Sequence, residues 1–532
     1  VDEKCGYEAG LAFWPFFAQN GFRPLPLPTT TFLKVRESNA ASLLLAGQPD
    51  CSAEDYLNCL QFKCRVIIET SNLLQTLNTK TMRTKLRIAA AALSLAAAMF
   101  VTSCRQQEPS ALEEDGDVQA AATIVVGTCT DQPDGSPTNT LITTNTTWTS
   151  NNQYVIRGLV RVTNGATLTI QPGTIIRGEC EGSLVIERDG AISAAGTPSD
   201  PIIFTSNRPV GSRAPGDWGG LIILGEAPNN QGPNVPIEGV NVPPGSTLGL
   251  YGGTNPNDNS GVLQYLRIEY PGGEIAEGNE INGLTLGSVG RGTTIDHVQV
   301  LYAQDDGFEW FGGNVNARYL YAFGCSDDDF DTDFGYTGLV QFAAGVKLTS
   351  SEPGNGASNG FESDNDAAGS SASPRTAPKF SNVTLSGPCG SDPAVFGRGL
   401  LIRRNSALQI ANSIVSEWGV TADFTTAATG TPAFLSTRNT TDVASPLPTG
   451  FTFLSGVLPG DCPRPTCAPE AAPNLVRSGN SGIGTSFKFP ESFFVATNYR
   501  GAFSAVRADN NGWDLRSENP AFDWLSFKCA GR

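Results

Sequence analysis

Residues 304–335 read QDDGFEWFGGNVNARYLYAFGCSDDDFDTDFG, and they state one short phrase twice. Asp-Asp-Gly-Phe-Glu-Trp, centred on Phe308, returns as Asp-Asp-Asp-Phe-Asp-Thr-Asp around Phe330, 22 residues later. A third copy, Asn-Gly-Phe-Glu-Ser-Asp, occupies Asn359 to Asp364 beyond a Gly- and Ser-containing insertion. A repeat of roughly 20–25 residues made of short β-rich pieces and turns indicates a solenoid. Side chains alternate faces along a strand. Aligning the copies therefore puts Phe308, Phe330 and Phe361 on one face and Glu309, Asp331 and Glu362 on the other. If the copies are successive coils, the phenyl rings stack inside and the carboxylates form a column outside. The expected fold is all-β, a right-handed parallel β-helix with long loop insertions and terminal caps.

The rest of the chain agrees. Its 532 residues hold 59 Gly and 35 Pro, which break the apolar residues into short runs. Tyr154–Val162 (YVIRGLVRV) and Leu263–Tyr270 (LQYLRIEY) are strand-length and β-branched, bounded by turn formers. Asn164 to Ile170 and Asp189 to Ala194 repeat one turn-then-strand phrase, and Gln171-Pro172-Gly173-Thr174 supplies a corner. Gly225–Asn259, rich in Gly, Pro and Asn, reads as a long loop on one side, where solenoids carry recognition surfaces. Asn382 and Asn412 fall at matching points and are expected to stack across coils, satisfying backbone groups at a turn. Some terminal segment must cover the last coil. The net charge of −17 argues against nucleic acid or an anionic membrane surface as partner. With one histidine, His297, metal sites built on His and a Ser-His-Asp triad are excluded.

The first 122 residues read differently. Residues 1–81 show no β pattern and are expected to be upstream read-through, with Met82 the true start. Arg83, Lys85 and Arg87 precede the apolar run Ile88–Phe100, which is too short to span a bilayer. Val101-Thr102-Ser103-Cys104 resembles a bacterial lipobox, so 82–103 reads as a signal peptide and Cys104 as the lipidated residue. Residues 104–122 then form an acidic tether, and 123–532 the β-helix domain with its C-terminal cap. This implies an outer-membrane lipoprotein, anchored by lipid and facing the periplasm or the exterior.

The phrases TLTIQPGTIIRG, GDWGGLIILG, NEINGLTLGSVGRGT, DDGFEWFGG, DDDFDTDFG and the NYRGAF…GW ending resemble a group of secreted β-helix lipoproteins of Gram-negative bacteria. The resemblance runs from Leu159 to Trp513. It implies a pectin-lyase-like β-helix on the outer membrane, and no established activity or catalytic residues come with it.

An exported chain permits disulfides. Cys462 and Cys467 flank four residues and are expected to close a small loop. Cys129–Cys180 would pin the N-terminal cap and Cys325–Cys389 would bridge coils.

The acidic column carries the chemistry. Carboxylates on adjacent coils repel one another, so Asp305, Asp306, Glu309, Asp328, Asp331, Asp333, Glu362 and Asp364 are candidate ligands for Ca2+, which takes 6–8 oxygens in irregular geometry. The alternative is a solvated acidic face with Asp capping turns. Ile295-Asp296-His297-Val298 is similar to a pectate-lyase phrase, and acidic pairs on β-helices serve polysaccharide hydrolases. An enzyme would use Asp305 and Asp306, with Arg403 as base, yet the family's Arg-Pro spacing is missing. Trp310, Phe311, Tyr319 and Tyr321 would form a sugar platform only if turned outward; Trp310 shares the face of Phe308 and is expected in the core. The reading is a non-catalytic adhesin, scaffold or glycan-binding module that meets polysaccharide or a surface protein. A calcium-dependent polyuronate lyase or hydrolase is the alternative.

Overall fold

The computed structural model describes residues 122–129, 138–273, 281–348, 358–388, 395–424, 487–497 and 499–503, together with the backbone of three short strands within 435–453. All belong to one compact unit, Val118–Arg532. The expectations for residues 1–121, including the signal segment and Cys104, lie outside the described residues. So do Cys389, Cys462 and Cys467.

Every coil contributes to three parallel ladders. One runs from Leu221–Leu224 through Leu284–Gly287, Phe308–Phe311, Phe330–Asp333 and Phe361–Ser363 to Arg398–Ile402. The other two share the longer strands Gly261–Glu269, Thr294–Leu301, Ala317–Phe323, Leu339–Val346 and Lys379–Ser386, which bend in the middle and so serve both. Among the described residues the only antiparallel pairing joins Val235–Pro236 to Leu250–Tyr251 inside the long loop. The chain is a right-handed parallel β-helix, as its repeats imply.

The predicted register holds. Phe308 pairs with Phe330 and Phe330 with Phe361. All three are fully buried, with ring centroids 5.5 and 6.1 Å apart. Trp310 is buried beside Phe308 and stacks on Tyr336 at 5.3 Å, which places it in the core.

The bend in the long strands is a single residue per coil. Tyr265, His297, Tyr319, Phe342, Asn382 and Asn412 occupy it, each with φ between 50° and 64°. A non-glycine residue there costs about 1–2 kcal/mol. Ring stacking offsets part of this at roughly 0.5–1.5 kcal/mol per pair: Tyr265 lies 4.4 Å from His297, His297 4.2 Å from Tyr319, and Tyr319 5.1 Å from Phe342. The rings spend their faces on one another, and Tyr321 is fully buried, so these residues make no open sugar platform. His297 is a corner residue whose Nδ1 meets Asp296.

The two asparagines do occupy matching positions, but they bind a strap rather than a turn. Phe487 N–H donates to Asn412 Oδ1 (3.2 Å), and Asn382 Nδ2 donates to the carbonyls of Tyr499 and Gly501 (3.3 and 3.2 Å). Gln341 exchanges two hydrogen bonds with the Val495 backbone, both 2.8 Å. Arg318 sits 4.3 Å above the Phe493 ring. This segment, 487–503, lies along the corner of the solenoid, not across an open end.

Phe330 touches both neighbouring rungs, so Phe330→Ala is expected to cost about 3–5 kcal/mol, the usual range for emptying a buried aromatic site. A urea midpoint unchanged from wild type would contradict the stacked register.

Candidate functional site

The acidic residues sit on the outward side of the first ladder, in two rows. The row at the corner preceding each strand is Asn282, Asp306, Asp328 and Asn359. Asp306 Oδ1 accepts the Asp328 N–H (2.8 Å), Asp328 Oδ1 accepts the Asn359 N–H (2.6 Å), and Asn359 Oδ1 accepts the Arg398 N–H (3.1 Å). Asp306, Asp328 and Asn359 thus each hold the backbone of the next coil, and the two aspartates keep a second oxygen for the site. The second row follows strand pairing: Thr285 lies opposite Glu309, Glu309 opposite Asp331, and Asp331 opposite Glu362.

Three groups of carboxylates have oxygens within 4.8 Å of one another: Asp305, Asp306 and Asp327; Asp306, Glu309 and Asp331; Asp328, Asp331 and Glu362. Two unit charges at that distance repel by about 0.9 kcal/mol in water and about 3.5 kcal/mol at an effective dielectric of 20. Asp306, Glu309 and Asp328 are 6, 7 and 3 % exposed and Asp305, Asp327, Asp331 and Glu362 are half-buried, so the acidic face is partly covered.

The cover includes the loop 225–259. Arg161, fully buried, pairs with Glu187 and donates to the Asn241 carbonyl (3.2 Å), while the Gly249 N–H donates to Glu187 (2.8 Å). Asn230 Nδ2 donates to the Asn365 carbonyl (2.7 Å). Asn282 Nδ2 bonds Glu309 and reaches Glu238 of the loop at 3.4 Å.

Burial, then mutual repulsion, raises Asp306, Glu309, Asp328 and Asp331 well above the ordinary carboxyl range. Burial pushes Asp333 up to about 7, against a hydrogen bond from the Phe334 N–H. It pushes Glu362 to about 7 as well, against the opposing charge of Arg403.

Arg403 pairs with Glu362 and, at 3.1 Å, with Asp364; Arg404 reaches Asp364 at 2.7 Å. Asp364 is therefore satisfied by guanidinium groups, and Asp333 stands outside the three close groups. The other six predicted ligands come together.

Sequence reasoning missed Asn282 and Thr285. Asn282 Oδ1, Thr285 Oγ1 and Asp331 Oδ1 are shielded from water and have no hydrogen-bond partner among the described residues, in side chains 0 and 1 % exposed for the first two. Asn282-Gly283-Leu284 aligns with Asp306-Gly307-Phe308, so a fourth copy of the opening phrase was the available signal. The donor set is all oxygen, which suits a hard cation such as Ca2+ and not zinc or copper.

Of the expected disulfides, Cys129–Cys180 is formed, with Cα atoms 5.3 Å apart. Cys325 is a free thiol buried in the core, pushed up to about 12 by burial, and its expected partner Cys389 lies outside the described residues.

No curated protein and no solved structure matches the chain. Residues 140–445 match the pectate-lyase-like beta helix domain, a span that contains the first ladder with both acidic rows, and the chain belongs to that family.

Proposed function

We propose that the chain is a non-catalytic cell-surface module, an adhesin, scaffold or glycan-binding protein, whose acidic face is held together by a calcium-class cation. The observation that carries this is the set of unpartnered, dry oxygens of Asn282, Thr285 and Asp331 beside carboxylates that repel one another. Asp306, Glu309 and Asp331 would hold the ion, with Asn282 and Thr285 completing the oxygen set. The ion would supply charge neutralisation beside these buried oxygens. The lipobox at Cys104 supports outer-membrane anchoring, and the surface ligand would be polysaccharide or protein.

The state of Arg403 weighs against a lyase. A base must give up its proton, yet Arg403 is raised above its ordinary value: burial alone would lower it, and Glu362 and Asp364 outweigh that effect. A second reading, a calcium-dependent polyuronate lyase or hydrolase using Asp305 and Asp306, draws on the closeness of these carboxylates and on the raised Asp306, a pattern that acid–base pairs also show. Asp306→Asn keeps the acceptor that holds Asp328 and removes the charge. The expected outcome on polygalacturonate is no unsaturated product and no new reducing ends from wild type or variant. Turnover by wild type that Asp306→Asn abolishes would replace the first reading with the second.

Chelation gives the direct test. EDTA is expected to lower the melting temperature and calcium to restore it, by about 2.7 kcal/mol at a hundredfold excess over the dissociation constant. Thr285→Val should raise the calcium needed for half-restoration. A transition indifferent to both EDTA and calcium would rule the cation out.

The sign of the pH dependence follows from the raised carboxyls. Without the ion, the folded chain binds more protons than the unfolded one between about pH 4.5 and 7, so stability falls as pH rises through that window. The EDTA-treated protein should melt higher at pH 5 than at pH 8, and saturating calcium should shrink the gap. Calorimetry at both pH values measures this.

A further inference from the structure

Behind the acidic face, inside the coil, lies a charge pair that cation binding does not use. Asp329 points into the core just before Phe330, and Lys347 follows the strand Leu339–Val346 on the next coil. Both side chains are fully buried, and Lys347 Nζ lies 3.2 Å from Asp329 Oδ1. Nζ also donates to the carbonyls of Cys325 (3.0 Å) and Asp327. Two of the nitrogen's N–H bonds are thereby directed at backbone carbonyls, while the carboxyl group stays within 3.2 Å of the nitrogen. Among the described residues no other donor reaches either Asp329 oxygen. Gly345 makes room for the pair: a Cβ there would come within 2.4 Å of Asp329 Oδ2.

A desolvated ion pair of this kind is costly to keep, because each charge has left water. Condensation removes both charges together. We propose that Lys347 and Asp329 join in an intramolecular isopeptide bond that staples two adjacent coils. The bond formed is Nζ–Cγ and the bond broken is Cγ–O. Two of the three ammonium protons leave with that oxygen as water, and the third stays on the amide nitrogen. No oxidant or cofactor enters the balance. Burial supplies what the reaction needs: fixed approach, equivalent to an effective concentration of roughly 10^5–10^8 M in well-oriented intramolecular reactions, and a dry site from which the product water departs. The staple would hold the turn 327–330 against the repulsion in front of it, and it stands whether or not the acidic face binds a cation.

Mass spectrometry of the full-length chain decides the matter. The expected result is a tryptic map in which cleavage after Lys347 fails and a branched peptide joins the Asp329 and Lys347 segments, one water lighter than its two parts. Asp329→Ala should restore cleavage after Lys347. Linear peptides ending at Lys347 in the wild type, at the mass of the unmodified sequence, would overturn the proposal, and that result needs no variant to fold.

Discussion

Parallel pairing in register stacks like on like, and the molecule is built around that constraint. When successive coils carry the same phrase, each side chain meets its own counterpart about 4.8 Å away. For Phe308, Phe330 and Phe361 the result is a continuous apolar column, stabilising at every rung. For Glu309, Asp331 and Glu362, one position along, the same registration forces like charges together. The core and the site are therefore two outcomes of one geometry, and the favourable column fixes the unfavourable one in place.

The inner column was legible in the sequence because strand alternation depends only on neighbours in the chain. Phe308 and Glu309 had to face opposite ways once the repeat was seen. Burial of the outer row was not legible, since its cover is anchored by Arg161 and Glu187, which lie far from the repeat in sequence. Nothing in the phrase DDGFEWF says whether water reaches its acids. Thr285 and Asn282 escaped notice for a related reason: their coil, NGLTLG, keeps the turn and the strand but replaces both acids, so composition hides the alignment that pairing makes plain.

The corner between the two longer ladders shows a different limit. Left-handed backbone normally points to glycine or asparagine, and Asn382 and Asn412 fit that rule. Tyr265, His297, Tyr319 and Phe342 do not. Their strain is met by stacking on the equivalent ring of the next coil, a compensation that exists only after the coils have assembled.

The strap at 487–503 changes how the solenoid bears load. A stack of rungs held only by neighbours opens from an end one rung at a time, as a zipper does. Here the segment 487–503 fastens to Asn412, Asn382, Gln341 and Arg318 in several different coils. Tension applied beyond residue 503 is therefore shared among side-chain bonds in parallel before any backbone ladder is peeled, much as a batten spreads strain across planks.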